Sequence, residues 1–223
     1  MCGRFAFYSP SEATAALFGV AGALPVEARY NIAPTQYVAA IRDAESGDRE
    51  LVMLRWGLIP FWAKDPSIGN RMINARAETV AEKPSYRAAY KHRRCIVLAD
   101  GFYEWHRAGD VKIPYFISRE SAEPMALAGL WENWTDKESD ETVQSTTLIT
   151  TAANDFMASL HHRMPMILEP DGVDTWLSGD MEIIEHAAEI TPPLQAWPVD
   201  RRVNNARNQG EDLIEPAGDV LSD

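Results

Sequence analysis

A chain of 223 residues, 46% hydrophobic and 24% charged, is long enough to bury a core and too apolar to be disordered, and two cysteines exclude a disulfide scaffold. A net charge of −12 argues against coating nucleic acid by bulk electrostatics. No apolar run approaches the ~20 residues of a membrane helix, and no apolar stretch follows Met1-Cys2-Gly3-Arg4, so a cytoplasmic protein is expected. The charge is uneven: residues 51–95 carry nine Lys/Arg against three acids, so a local basic patch for a polyanion stays open beside a plain solvated face.

Cys2–Tyr8 reads as a strand. Ser9-Pro10-Ser11-Glu12 reads as a capping box opening a short helix that stops near Gly19. Gly22–Gln36 is irregular, and Tyr37–Arg42 with Glu50–Trp56 alternate as a hairpin around Ser46-Gly47. Gly57–Arg76, rich in Trp, Pro, Gly and Asn, reads as a long functional loop. A helix is expected at Pro84–His92, then strands at Cys95–Ala99, Phe102–His106, Pro114–Ile117, Met125–Trp131 and Thr142–Thr151. Asn154 caps a helix running to Leu160, Met166–Leu168 is a short strand, and helices follow at Asp171–Leu177 and Met181–Ile190. This order predicts an α+β fold, with mostly antiparallel sheets curled into a barrel-like core and short flanking helices. One domain over 1–223 is expected, with an acidic, loop-rich tail from about 192 and a monomer as the default state.

Four stretches could carry chemistry. Removal of Met1, normal before a small residue, would leave Cys2 with an α-amine and a thiol on adjacent carbons. The α-amine, with a pKa of ~7.7–8, is roughly 10–15% neutral at pH 7. Such an amine condenses with an aldehyde to a Schiff base, and the thiol then closes a thiazolidine; alternatively the thiolate attacks an acyl carbon. Cys95, inside an apolar strand, reads as inert core. Glu104, within Gly101-Phe102-Tyr103-Glu104-Trp105, is either a desolvated proton shuttle or an edge-strand glutamate facing water. Leu160-His161-His162-Arg163-Met164-Pro165 places a histidine pair at a helix end, with no ligand spacing for a metal. Asn74-Ala75-Arg76-Ala77-Glu78, preceded by Arg55-Trp56-Gly57-Leu58-Ile59-Pro60-Phe61-Trp62, offers arginines, an amide and aromatics for a single strand, although Trp56 and Trp62 also suit a core.

Together with Tyr30-Asn31-Ile32-Ala33-Pro34-Thr35, Arg94-Cys95-Ile96, Ala128-Gly129-Leu130-Trp131 and Val203-Asn204-Asn205, these stretches resemble the SOS response-associated peptidase family, the abasic-site processing proteins. The resemblance implies a DNA-repair protein whose mature Cys2 forms a thiazolidine with the ring-opened aldehyde of an abasic site in single-stranded DNA, with single-strand/duplex junctions as a further expected substrate. Under it, Glu104 is an acid/base, Asn74 orients the opened sugar or the cysteine backbone, and His161 stabilises or protonates the sugar hydroxyl and assists reversal. Arg4, Arg76 and, more weakly, Arg163 hold phosphates, while Trp56, Pro34 and Pro60 wedge or stack against bases. β-Elimination (lyase chemistry) and self-removal of Met1 are implied as well, without a cofactor, a metal or a membrane, and with the protein at the nucleoid when on DNA. A cysteine amidohydrolase with an N-terminal nucleophile and a non-catalytic reader of damaged DNA are the alternatives.

Overall fold

The computed structural model describes residues 2–23, 25–180, 182–184, 187 and 190–222. Strand β1 (Phe5–Phe7) is short and buried throughout, as a continuous apolar run requires. Helix α1 (Ser11–Leu17) follows Pro10, which stands at the N-cap without a side-chain hydrogen bond. The expected capping box does not form. The Ser9 hydroxyl instead donates to Asp100 at 2.5 Å, and the second Asp100 oxygen accepts the Tyr8 and Ser9 N–H groups. A buried carboxylate collecting three donors outcompetes a local cap.

Strand β2 (Arg29–Ile32) lies in the stretch expected to be irregular and owes its conformation to pairing with β1, Phe5 facing Ile32. Strands β3 (Tyr37–Asp43) and β4 (Arg49–Trp56) form the expected hairpin. The segment after β4 is a loop only in part: a 3-10 turn spans Pro66–Arg71, and β5 covers Asn74–Arg76. Helix α2 (Arg87–His92) and strands β6 (Arg94–Ala99), β7 (Gly101–Ala108), β8 (Val111–Arg119), β9 (Met125–Thr135) and β10 (Thr142–Ala152) follow in the expected order.

Asn154 accepts the Met157 N–H at 2.9 Å and caps α3 (Asp155–Ala158), which is shorter than expected. Strands β11 (Arg163–Pro165) and β12 (Ile167–Leu168) precede α4 (Pro170–Leu177). Of the helix expected at Met181–Ile190, positions 181, 185, 186, 188 and 189 lie outside the described residues, and Glu182–Ile184 form a 3-10 turn. Beyond 192 the chain adds β13 (Leu194–Pro198), 3-10 turns at Arg201–Asn204 and Glu211–Leu213, and β14 (Leu221–Ser222).

One sheet is antiparallel throughout, in the order β14-β13-β8-β7-β1-β2. The other runs β11-β10-β4-β3-β6-β9-β12, and a further pairing of β9 with β10 closes β10-β4-β3-β6-β9 into a five-stranded barrel. The fold is therefore α+β around a barrel, as expected from the sequence. The β10–β4 contact is parallel, and β5 also lies parallel to β10, Leu148 facing Asn74. All six residues of β6 are buried in the barrel wall. Arg94 is held there between the Tyr90 and Trp176 rings, its guanidinium carbon 4.4 Å from each centroid, and donates to the carbonyls of Tyr90, Trp176 and Asp180. Among the described residues no helix is long and apolar enough to cross a membrane.

The segment linking β4 to β5 is fixed by two glycines. Gly57 has φ +123° and donates its N–H to the Thr146 carbonyl at 2.8 Å, and a Cβ there would lie 2.4 Å from the Gly69 carbonyl oxygen. Gly57→Ala adds backbone strain of about 1–3 kcal/mol to that clash, so a fall in stability of about 2 kcal/mol or more is expected. Urea unfolding measures it; an unchanged midpoint at unchanged slope would show that the two backbones separate freely.

Candidate active site

Strand β1 sits between β2 and β7, and this draws the residues before it into the seam between the barrel and the six-stranded sheet. The Arg4 carbonyl accepts the Tyr103 N–H at 2.9 Å, and Cys2 has no solvent exposure. From the barrel side, β5 brings the Asn74 amide to the Cys2 carbonyl, to which its Nδ2 donates at 2.8 Å. The Asn74 Oδ1 is buried and has no hydrogen-bond partner among the described residues. From the sheet side, Glu104 shares a face of β7 with Phe102 by the period-two alternation of a strand and is 3% exposed. His161, in the turn between α3 and β11, places Nδ1 4.0 Å from Glu104 Oε1. The same Nδ1 is 3.0 Å from both the N–H and the carbonyl oxygen of Arg163, so its own turn holds the ring whichever nitrogen is protonated. The His162 ring stacks on it, centroids 4.4 Å apart.

Cys2, Asn74, Glu104 and His161, four residues spread over 160 positions of sequence, thus converge on one seam. Burial pushes the Cys2 thiol far above its ordinary range, and the Glu104 charge adds to the effect. Cys95 is also fully buried and pushed up to about 12, with its sulfur 3.5 Å from the Thr146 hydroxyl; it is the inert core residue expected.

The residues expected to touch DNA divide sharply. Arg76 is exposed on β5 and makes no ion pair among the described residues. Pro34 is half-buried. Arg4 instead donates from one terminal nitrogen to Asn31 Oδ1 (2.6 Å) and the Val203 carbonyl (2.8 Å). Arg163 spans Glu78 with both terminal nitrogens and gives a further hydrogen bond to the Thr150 carbonyl at 2.6 Å, so its guanidinium is committed within the protein.

Two of the expected wedges are corrected. Trp56 is fully buried, packed edge-on against Phe5 at 5.0 Å and bonded through Nε1 to the Ile73 carbonyl, so neither ring face can meet a base. Pro60 is buried as well. The alternation of β4 points Trp56 into the core, and exposed aromatic surface appears five and six residues later, at Phe61 and Trp62.

Sequence reasoning assigned no role to Asn31, although its motif was noted. It is fully buried, and its Nδ2 donates to the carbonyls of Val203, Asn205 and Asn208 while its Oδ1 takes Arg4. A buried amide inside the apolar run Tyr30–Ala33 was the available signal, since such a group must be hydrogen-bonded. Among the described residues no group of His, Cys, Asp and Glu is gathered as a metal site.

A five-stranded barrel flanked by an antiparallel sheet, with a buried cysteine, an amide, a carboxylate and an imidazole at their seam, defines a protein with a cysteine-centred polar site. Residues 1–206 match the model of the SOS response associated peptidase (SRAP) family, and the chain belongs to that family. It is 40% identical to the abasic site processing protein YoqW of Bacillus subtilis, over 96% of this chain and 99% of that protein. It is 32% identical to the abasic site processing protein YedK of Escherichia coli, over 97% and 100%. A crystal structure of a protein from Bacteroides thetaiotaomicron superposes with a TM-score of 0.83 at 25% identity, over 97% of this chain and all of that one.

The Glu78–Arg163 pair ties β5's continuation to β11 on the barrel side of the site. Its hydrogen bonds from Arg163 hold the Glu78 carboxyl below the ordinary carboxylate range, against the opposing effect of burial. A folded-state pKa below the unfolded value of 4.5 means that the pair's contribution is complete above pH 4.5 and lost as pH falls through the depressed value. Half of the Glu78 side chain is exposed, so the effect is a modest one. Urea midpoints of Glu78→Gln should therefore lie below wild type at pH 7 and approach it below pH 4. A constant difference across that range would remove Glu78 from the acid response.

Proposed function

We propose that this protein processes abasic sites in single-stranded DNA by forming a thiazolidine between mature Cys2 and the ring-opened sugar. The observation that carries the reading is the meeting of Cys2, Asn74, Glu104 and His161, with Asn74 bonded to the Cys2 carbonyl. The relatives' names supply the substrate. Once Met1 is removed, the α-amine of Cys2 attacks the C1′ aldehyde and the carbinolamine loses water to give an imine. The Cys2 sulfur then bonds to the imine carbon while its proton passes to nitrogen through Glu104, closing the five-membered ring. One water leaves in total and nothing is oxidised or reduced.

The raised thiol pKa favours this order, because an amine-first route keeps the thiol protonated until ring closure. Asn74 holds the Cys2 backbone and leaves Oδ1 as an acceptor for the substrate. His161 meets the sugar hydroxyl released by ring opening and assists reversal. The imine also acidifies the C2′ proton, so β-elimination is a side reaction, and self-removal of Met1 belongs to the same proposal. Arg76 contacts phosphate, and the exposed rings of Phe61 and Trp62 take over the stacking role that Trp56 cannot fill.

Intact mass spectrometry after incubation with a single-stranded oligonucleotide carrying one abasic site should show loss of Met1 and gain of the whole oligonucleotide, retained without borohydride. Cys2→Ala should abolish this heat-stable adduct, and an undiminished adduct from that variant would take Cys2 out of the mechanism. Glu104→Gln should slow both crosslinking and its reversal by about 10²-fold or more with DNA binding nearly intact. Unchanged rates would make Glu104 a structural residue only.

A further inference from the structure

Beside His161 the surface opens into a groove of about 460 Å³, walled by Trp105, His106, Arg107, Lys112, His161 and His162. No carboxylate lines it, although the protein as a whole carries 33 acidic against 21 basic residues. Arg107 and Lys112 are directly opposed in the β7–β8 hairpin, and both are exposed. Like charges facing each other across a strand pair destabilise it. Neither residue forms an ion pair among the described residues, and their cross-strand positions keep the two cations together. Two uncompensated cations held side by side, in a groove that shares His161 with the active site, form a site whose missing partner is an anion.

The geometry points to this groove as the subsite for the phosphodiesters flanking the lesion on one side, with Arg107 and Lys112 as its phosphate contacts. The inference rests on the function proposed above and adds a direction to it: the strand leaves the active site past His161 along the β7–β8 hairpin. It also places a polyanion contact outside the basic stretch 51–95. The hairpin ends at Ala108-Gly109-Asp110, so both side chains stand at the tip of a two-stranded arm, within reach of a strand crossing the groove.

The test uses fluorescence anisotropy with oligonucleotides bearing a tetrahydrofuran analogue of the abasic residue, which has no aldehyde and cannot crosslink. One set carries nucleotides only 5′ of the analogue and the other only 3′. The double variant Arg107→Gln/Lys112→Gln is expected to lose about tenfold in affinity at low salt for one set alone, and its slope of log K against log salt for that set should be shallower by about 1.4. Equal losses for both sets would mean a diffuse charge effect and overturn the subsite, as would unchanged binding. A wild-type protein that binds neither set would overturn the subsite together with the function on which it rests. Normal binding without crosslinking of a true abasic site would overturn the covalent chemistry and leave the subsite standing.

Discussion

Strand β10 is the constraint on which the rest of the structure depends. One edge pairs with β4 at Ser145 and Thr146 and then with β5 from Leu148 to Thr150. The other edge pairs with β9 and then with β11. The strand thus closes the barrel with its first half and carries the site with its second, because Asn74 stands on β5 and His161 precedes β11. Its side chains match this double duty. Ser145 and Thr146 are fully buried, and each hydroxyl is satisfied, by the Ile59 N–H and the Leu130 carbonyl. An apolar residue at 145 would leave the Ile59 N–H buried without an acceptor, a loss of about 1–3 kcal/mol.

The second dependency is electrostatic. Burying the first residues of the chain between β2, β7 and β5 gives Cys2 a defined position and removes its thiol from water, and the cost of forming a thiolate follows from that desolvation. The Glu104 charge adds to that cost.

The arginines show how a charge becomes structural. Arg94 lies between two rings with three carbonyls, Arg163 clasps Glu78, and Arg4 ties Asn31 and Val203, fixing the segment beyond β13 against β1. In that segment Asn204 Oδ1 also accepts the Trp105 indole N–H at 2.7 Å, so a wall of the groove beside His161 leans on a residue about 200 positions away from Cys2. A loop-rich composition after 192 does not reveal this role, because β13 is recruited by β8 and the turns are held through backbone carbonyls that any residue supplies.

Local rules made the β3–β4 hairpin, the long strands β6 to β10 and the Asn154 cap legible, since alternation, turn residues and a capping amide act within a few residues. The motif order also named Cys2, Asn74, Glu104 and His161 by resemblance. Tertiary structure decided the rest. Ser9 left its helix for Asp100, β2 and β5 became strands only through their partners, and Trp56 went into the core because strand parity, not residue type, selects the face. Whether Arg4, Arg76, Arg107 and Arg163 are surface cations or clasps depends on what lies opposite them, and pairing across more than 80 residues is not written in any local window.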